Sequence, residues 1–343
     1  MVSKMITVVF HILLCLEFCS TKTQTWIKAG YWFSGSEFPV SNINSALFTH
    51  LLCAFAPVNG TSYQLIPSAS DEKEFSNFTN TVKQKNPSVT TLLSIGGGRE
   101  KYSTFSSMVS NSSYRKSFID SSIRSDRLYG FQGLDLCWVS ANTSADMSNM
   151  GVLFEEWRVA IDLEARNSSQ SRLILTAAVQ YSPSLDSASF PIDSIQKYLN
   201  WIHVMAYDFY MPTWENFTGA QAALYDPSST TSLSASKIVL SLPFYGYAWT
   251  LVNPADNGIG APATGPAITD DGDMSYKEIK GYIGRYGAKV TYNATYVVNY
   301  CSIGTSWIGF DDAKKRNLLG YFVWQVPYDD NWVLSQAVGK QSH

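Results

Sequence analysis

Eight short apolar runs, each closing on a small or polar residue where a loop begins, limit this chain to very few folds. They lie at 26–33 (WIKAGYWF), 50–56 (HLLCAFA), 89–96 (VTTLLSIG), 131–138 (FQGLDLCW), 173–180 (LILTAAVQ), 201–209 (WIHVMAYDF), 237–245 (KIVLSLPFY) and 320–326 (GYFVWQV). Near-continuous apolar runs are what strands buried on both faces require, and those are strands of a parallel sheet covered by helices. Helix-compatible segments at 71–84, 112–128 and 146–166 lie between them, with Phe118, Ile119 and Ile123, then Leu153, Phe154, Trp157 and Ile161, at helical spacing. Eight strands alternating with helices predict a closed α/β structure, the (β/α)8 TIM barrel, and 343 residues are enough for one.

Two connections break the alternation. The stretch 210–236 carries Pro212, Pro227 and a Ser/Thr run without helical periodicity, and the last strand is preceded only by DDAKKRNLL. The outer helical ring is therefore expected to be incomplete on that side. The segment 247–309 has elements of its own: a helical stretch, DMSYKEIKGYIGRYG, and alternating runs, KVTYNATYVVNYC and SWIGFD. The expected organisation is a leader at 1–24, a barrel at 25–246 and 310–343, and an α+β insertion at 247–309.

The N-terminus joins Lys4 to an apolar run from Met5 to Leu16, then to small polar residues, which is the pattern of a secretory signal and predicts a secreted or vacuolar protein. No later run reaches the roughly 20 apolar residues of a spanning helix, so no membrane partner is expected. Seven Asn-x-Ser/Thr sites fit that route: Asn59, Asn77, Asn111, Asn142, Asn167, Asn216 and Asn293. A net charge of -3 with 15% charged residues argues against nucleic acid, which needs clustered Lys and Arg. Outside the leader stand Cys53, Cys137 and Cys301, an odd number that leaves at least one free thiol. These cysteines, with His50, His203 and His343, show no metal-ligand spacing, and neither metal nor cofactor is expected.

The strand ends resemble those of plant class V chitinases of glycoside hydrolase family 18. The shared motifs are GYW, FTHLLCAFA, SIGGG, GLDL, MAYDFY, PFYGYAW and GYFVWQV, in order along the chain. The resemblance implies an Asp-x-Asp-x-Glu run at the end of the fourth strand, its alternation turning all three carboxylates inward. There the glutamate protonates the glycosidic oxygen, and the middle aspartate orients the substrate's own acetamido group. Carried onto this sequence, those positions are Asp135, Cys137 and Val139. Valine has no proton to give, so the expectation is a chain with no catalytic residues that is not an enzyme.

The resemblance further implies a sugar cleft lined by Trp324, Tyr207, Asp208, Tyr31, Asp135, Trp138, Met205, Tyr245 and Trp249. For Asp135 a structural acceptor role stands beside the ligand role, since buried carboxylates need partners. The expected function is that of the similar chitinase-related agglutinins: a lectin for high-mannose N-glycans or chitin oligosaccharides, with glycans or glycoproteins as partners. A protein that inhibits another glycanase is the alternative, followed by a defence or storage protein without a specific ligand. A homodimer through strands left without helices is also expected.

Overall fold

The structure, a computed structural model, describes residues 26–182, 184–185, 188–222, 235–311 and 319–339. The expected leader, His343, residues 223–234 of the 210–236 connection and residues 312–318 of the DDAKKRNLL segment fall outside them. Seven parallel strands come first: β1 (Ile27–Phe33), β2 (His50–Ala56), β3 (Thr90–Gly96), β4 (Gly133–Cys137), β5 (Ile174–Gln180), β6 (Trp201–Met205) and β7 (Ile238–Pro243). The chain then builds a second, antiparallel sheet from β8 (Tyr245–Leu251), β9 (Ala263–Pro266), β10 (Asp273–Ser275), β11 (Thr291–Asn293), β12 (Val298–Ile303) and β13 (Ser306–Phe310). It returns as β14 (Gly320–Trp324), which pairs with both β7 and β1 and closes an eight-stranded parallel barrel. The (β/α)8 class is as expected.

Two strands differ from the sequence reading. The run 237–245 is two strands in two sheets, because Pro243 has no N–H for the ladder and Phe244 donates instead to the Trp324 carbonyl. The run 201–209 stops at Met205, since the Ala206 N–H is taken by Ser241 Oγ and Asp208 turns left-handed at φ +60°. Close approach sets one residue at the seam: a Cβ on Gly320 would run into the Ile27 carbonyl oxygen, so the closing strand begins with glycine.

Helices α1 (Ala69–Lys85), α2 (Tyr102–Ser110), α3 (Ser112–Tyr129), α4 (Ser144–Ser168) and α5 (Ile192–Tyr198) belong to the barrel, α6 (Tyr276–Tyr286) to the insertion, and α7 (Val333–Gly339) ends the described chain. A Ser68–Asp71 capping box starts α1, and Asn111 Oδ1 accepts from Ser113 and Tyr114 N–H at the start of α3. Helix α2 escapes a sequence reading because Ser and Thr dilute it, yet Phe105, Met108 and Val109 put an i, i+3, i+4 face into the core. No helix of the described residues is long and apolar enough to cross a membrane.

Strand alternation divides the core in two. Leu51, Cys53, Leu134 and Leu136 face outward into the helix layer with Phe118, Phe154 and Trp157, whereas Leu52, Ala54, Cys137, Met205 and Phe322 fill the barrel interior. Cys53, Cys137 and Cys301 are all buried free thiols.

Near the end of α3, Asp126 is 0% exposed and its carboxylate has no well-formed hydrogen bond among the described residues. Burial pushes its pKa up to about 8, with Arg127 and the Gly133 amide offsetting it only in part. An acid that holds its proton more tightly when folded costs stability as pH rises from the unfolded value, roughly 4, to that folded value. Asp126→Asn is therefore expected to match the parent at pH 4 and to exceed it in melting temperature by a margin that grows up to pH 8. Parallel melting curves across that range check this.

Candidate functional site

Asp135 sits at the middle of the barrel with 0% exposure and receives a donor from each of four other strands. Tyr31 on β1 and Ser94 on β3 donate to Oδ2 at 2.8 and 2.7 Å, and Thr176 on β5 donates to Oδ1 at 2.7 Å. His203 on β6 places Nδ1 3.1 Å from Oδ1. Trp201 Nε1 donates to His203 Nε2 at 3.0 Å, so Nε2 is the acceptor and Nδ1 carries the proton toward Asp135. Burial alone would push the Asp135 carboxyl up, but His203 and the hydroxyl donors outweigh it and hold the group below its ordinary range. With its oxygens engaged inside the barrel, Asp135 is a structural acceptor rather than a ligand contact, and Tyr31, 2% exposed, is tied to the same carboxylate.

Above this layer the strand ends carry a cluster of aromatic side chains. Trp324, half-buried, stacks on Phe55 with ring centroids 5.7 Å apart and meets the Tyr31 ring at 5.6 Å. It packs against both the barrel interior and the Tyr245, Tyr247 and Trp249 face of β8, which places it at their junction. Tyr207 packs beside it and meets the Tyr245 ring at 5.8 Å. Asp208 Oδ1 accepts from Tyr245 and Tyr247 hydroxyls at 2.6 and 3.0 Å. Burial raises the Asp208 pKa, and the two phenols only partly oppose that. A half-exposed indole floor with a carboxyl and phenols on one side can stack against the C–H face of a pyranose and bond its polar edge.

Not every expected cleft residue is there. Trp138 belongs to the outward face of its strand end: it stacks on Phe105 at 5.6 Å in the helix layer and bonds Ser140, because alternation turns it opposite to Cys137. Trp249 is 0% exposed, its ring edge-on to Trp307 at 5.3 Å, so a ligand does not reach it. Met205, 7% exposed, fills the barrel under the cleft. Cys137 and Val139 both pack inward with Tyr207 and Trp324. Burial, then the neighbouring Asp135, pushes the Cys137 thiol far up, which leaves it a packing group and not a nucleophile.

The family model for glycosyl hydrolases family 18 matches residues 27–329. The chain belongs to this family. It is 46% identical to a class V chitinase of Arabidopsis thaliana, over 98% of this chain and 95% of that protein. Among solved structures it is similar to the class V chitinase from Nicotiana tobaccum, with a TM-score of 0.89 and 45% identity over 92% of this chain and 98% of that one. The chitinase-like agglutinin RobpsCRA from Robinia pseudoacacia is similar as well, with a TM-score of 0.85 and 40% identity over 92% and 99% of the two chains. These relatives correct one expectation. A chain this similar, over nearly its whole length, to proteins named class V chitinases does not stand as a non-enzyme on Cys137 and Val139 alone.

Two site residues were missed from sequence. Trp214, on the loop after β6, is 72% exposed, with its backbone N–H donating to the carbonyl of the half-buried Met211 at 3.0 Å. The signal was available: a tryptophan among Pro, Thr, Glu and Asn has no apolar face to join. Gln221, 2% exposed, could not be found, since its role is made by three contacts distant in sequence. It donates to the Tyr245 carbonyl at 3.0 Å, accepts from the Asp208 N–H at 3.4 Å, and its own carbonyl accepts from Phe209 at 3.0 Å. It thus holds the left-handed Asp208 turn against β8. Gln221→Met, which keeps the volume and loses the side-chain bonds, is expected to cost about 1–3 kcal/mol of stability. Denaturant unfolding measures the cost, and a change below about 0.3 kcal/mol would remove Gln221 from this role.

Proposed function

We propose that the chain is a carbohydrate-binding protein whose cleft takes chitin-type oligosaccharides, chains of β-linked N-acetylglucosamine. The observation that carries this is Trp324, held half-exposed at the strand ends between Phe55 and Tyr31 with Asp208, Tyr245 and Tyr247 beside it. A mutant of the tobacco class V chitinase has been solved in complex with NAG4, which supports this ligand over high-mannose glycan, and the Robinia agglutinin supports binding as a function in its own right. Trp324→Ala is expected to weaken chitotetraose binding by about 1–3 kcal/mol, and Trp214→Ala by about 1 kcal/mol. Calorimetric titration of the folded variants tests both. Affinity unchanged by Trp324→Ala would move the site elsewhere.

Cleavage of the bound chain is the second reading, and the relatives' names favour it. Val139 supplies no proton, so a cleaving form of this cleft draws it from Asp208, a carboxyl whose pKa is raised and whose Oδ1 is occupied by two phenols, leaving Oδ2 for the ligand. The Oδ2 proton passes to the glycosidic oxygen as the C1–O bond breaks, and the water that completes hydrolysis returns a proton to the carboxylate. Asp208→Asn keeps the acceptor for Tyr245 and Tyr247 and removes the acid. It is expected to lower turnover on the order of 100- to 10000-fold while the oligosaccharide still binds. Product release from chitotetraose, followed by chromatography, decides it: equal rates in the two proteins exclude Asp208 as the donor, and intact oligosaccharide with the parent protein leaves binding as the function.

A further inference from the structure

On the far side of the helix layer from Trp324, α3 and α4 leave an open groove of about 660 Å³. Its floor is apolar. Ile123 is 8% exposed, Ala160 is partly buried, and Leu163 stands 50% exposed at the wall. Its rims are polar: Lys116, Asp120 and Arg127 along α3 and Glu164 on α4, with Lys116 paired to Asp120 and the Arg127 guanidinium paired across to Glu164 through both carboxylate oxygens. The last turn of α4 closes one end, and there Asn167 lines the groove as the first residue of an Asn-Ser-Ser site.

That position separates Asn167 from the other acceptor sites. Asn59 and Asn293 each fold their side-chain oxygen onto two backbone amides of their own turn, and Asn111 spends its oxygen capping α3. The Asn77 amide donates to the Lys73 carbonyl one turn back. Asn142 and Asn216 lie exposed on loops after β4 and β6. Asn167 is exposed as well, but a sugar attached to it starts at the mouth of a groove whose floor is apolar and whose rims can donate and accept.

We propose that Asn167 carries an N-linked glycan and that its first sugars lie along the groove between α3 and α4. In the transfer the Asn167 Nδ2–C1 bond forms as the sugar's C1–O bond to a lipid pyrophosphate donor breaks. The pyrophosphate leaves with that bond's electron pair, and the amide nitrogen gives up one proton. Once the chain has folded, the C–H faces of the sugars cover Ile123, Ala160 and Leu163, and their hydroxyls meet Lys116 and Asp120. Tethering makes this contact easy to populate, because a short linker sets an effective concentration of the order of millimolar, so even a weak sugar–groove contact is occupied much of the time. The proposal is independent of what the strand-end cleft binds.

The full chain secreted from a eukaryotic host is treated with peptide N-glycosidase in heavy-oxygen water, and the converted aspartates are mapped by mass spectrometry. Asn167 is expected to be occupied. Under native conditions its glycan is expected to be released about tenfold more slowly than in Leu163→Ser, which removes the exposed part of the floor while leaving the acceptor site intact. Hydrogen exchange over residues 119–127 and 159–165 is expected to speed up when the glycan is released. An unmodified Asn167, or equal release rates in the two proteins, overturns the proposal. The acceptor is exposed and at a helix end, so Asn167→Gln folds and serves as the unglycosylated reference for the exchange measurement.

Discussion

A carboxylate with no access to water, placed at the centre of a barrel, has to be satisfied by whatever strands surround it, and Asp135 is satisfied by four. Tyr31, Ser94, Thr176 and His203 reach it from β1, β3, β5 and β6, so that a single charged group braces strands on opposite sides of the barrel. Removing such a charge's partners leaves it buried and unpaired, at a cost of several kcal/mol, which is why the arrangement tolerates little change. The consequence reaches the cleft. Tyr31, held by its hydroxyl at this centre, offers its ring to Trp324, and the indole therefore rests on a platform whose height the carboxylate sets.

The second sheet matters to function because of where it joins. Strand β8 starts two residues after β7 ends, and its Tyr245 and Tyr247 hydroxyls converge on Asp208 at the end of β6. One wall of the cleft is therefore a contact between barrel and insertion. Gln221 ties the two backbones together on either side of that contact. The left-handed turn at Asp208 is costly for most residues, though less so for aspartate, and it persists because the surrounding bonds determine it.

Much of the barrel was legible in the chain. The eight runs, the helices around 112–128 and 146–166, and the closed parallel sheet follow from period and from apolar content on both strand faces, which are local properties. What misled the reading was also local: LPFY is a continuous apolar run, yet Pro243 ends one sheet and Tyr245 begins another. Helix α2 was hidden by its serines, whose weak helical preference is overridden by the burial of Phe105, Met108 and Val109. At the site, Trp324, Tyr207 and Asp208 were named from the family resemblance, and the structure brings them together at the strand ends. Trp138 and Trp249 were not placed correctly, because an aromatic near a strand end can face the cleft, the helix layer or a second sheet with the same sequence signature. The expectation of a non-enzyme was a similar overreach: it rested on Cys137 and Val139 and was outweighed by similarity across the whole chain.

By itself, then, the sequence determined the eight barrel strands and their parallel closure, since these depend on periodicity and apolar content, while the side chains expected at the strand ends came from the motifs of the family it resembles. The tertiary structure decided which of those side chains a ligand can reach. It assigned Asp135 to the barrel interior, gave His203 its tautomer through Trp201, brought Gln221 under Asp208, and opened a groove beside Asn167. The reason is geometric: these relations join residues 2 to 172 positions apart through strand alternation and sheet crossing, and no local pattern records which distant partner will fill the space.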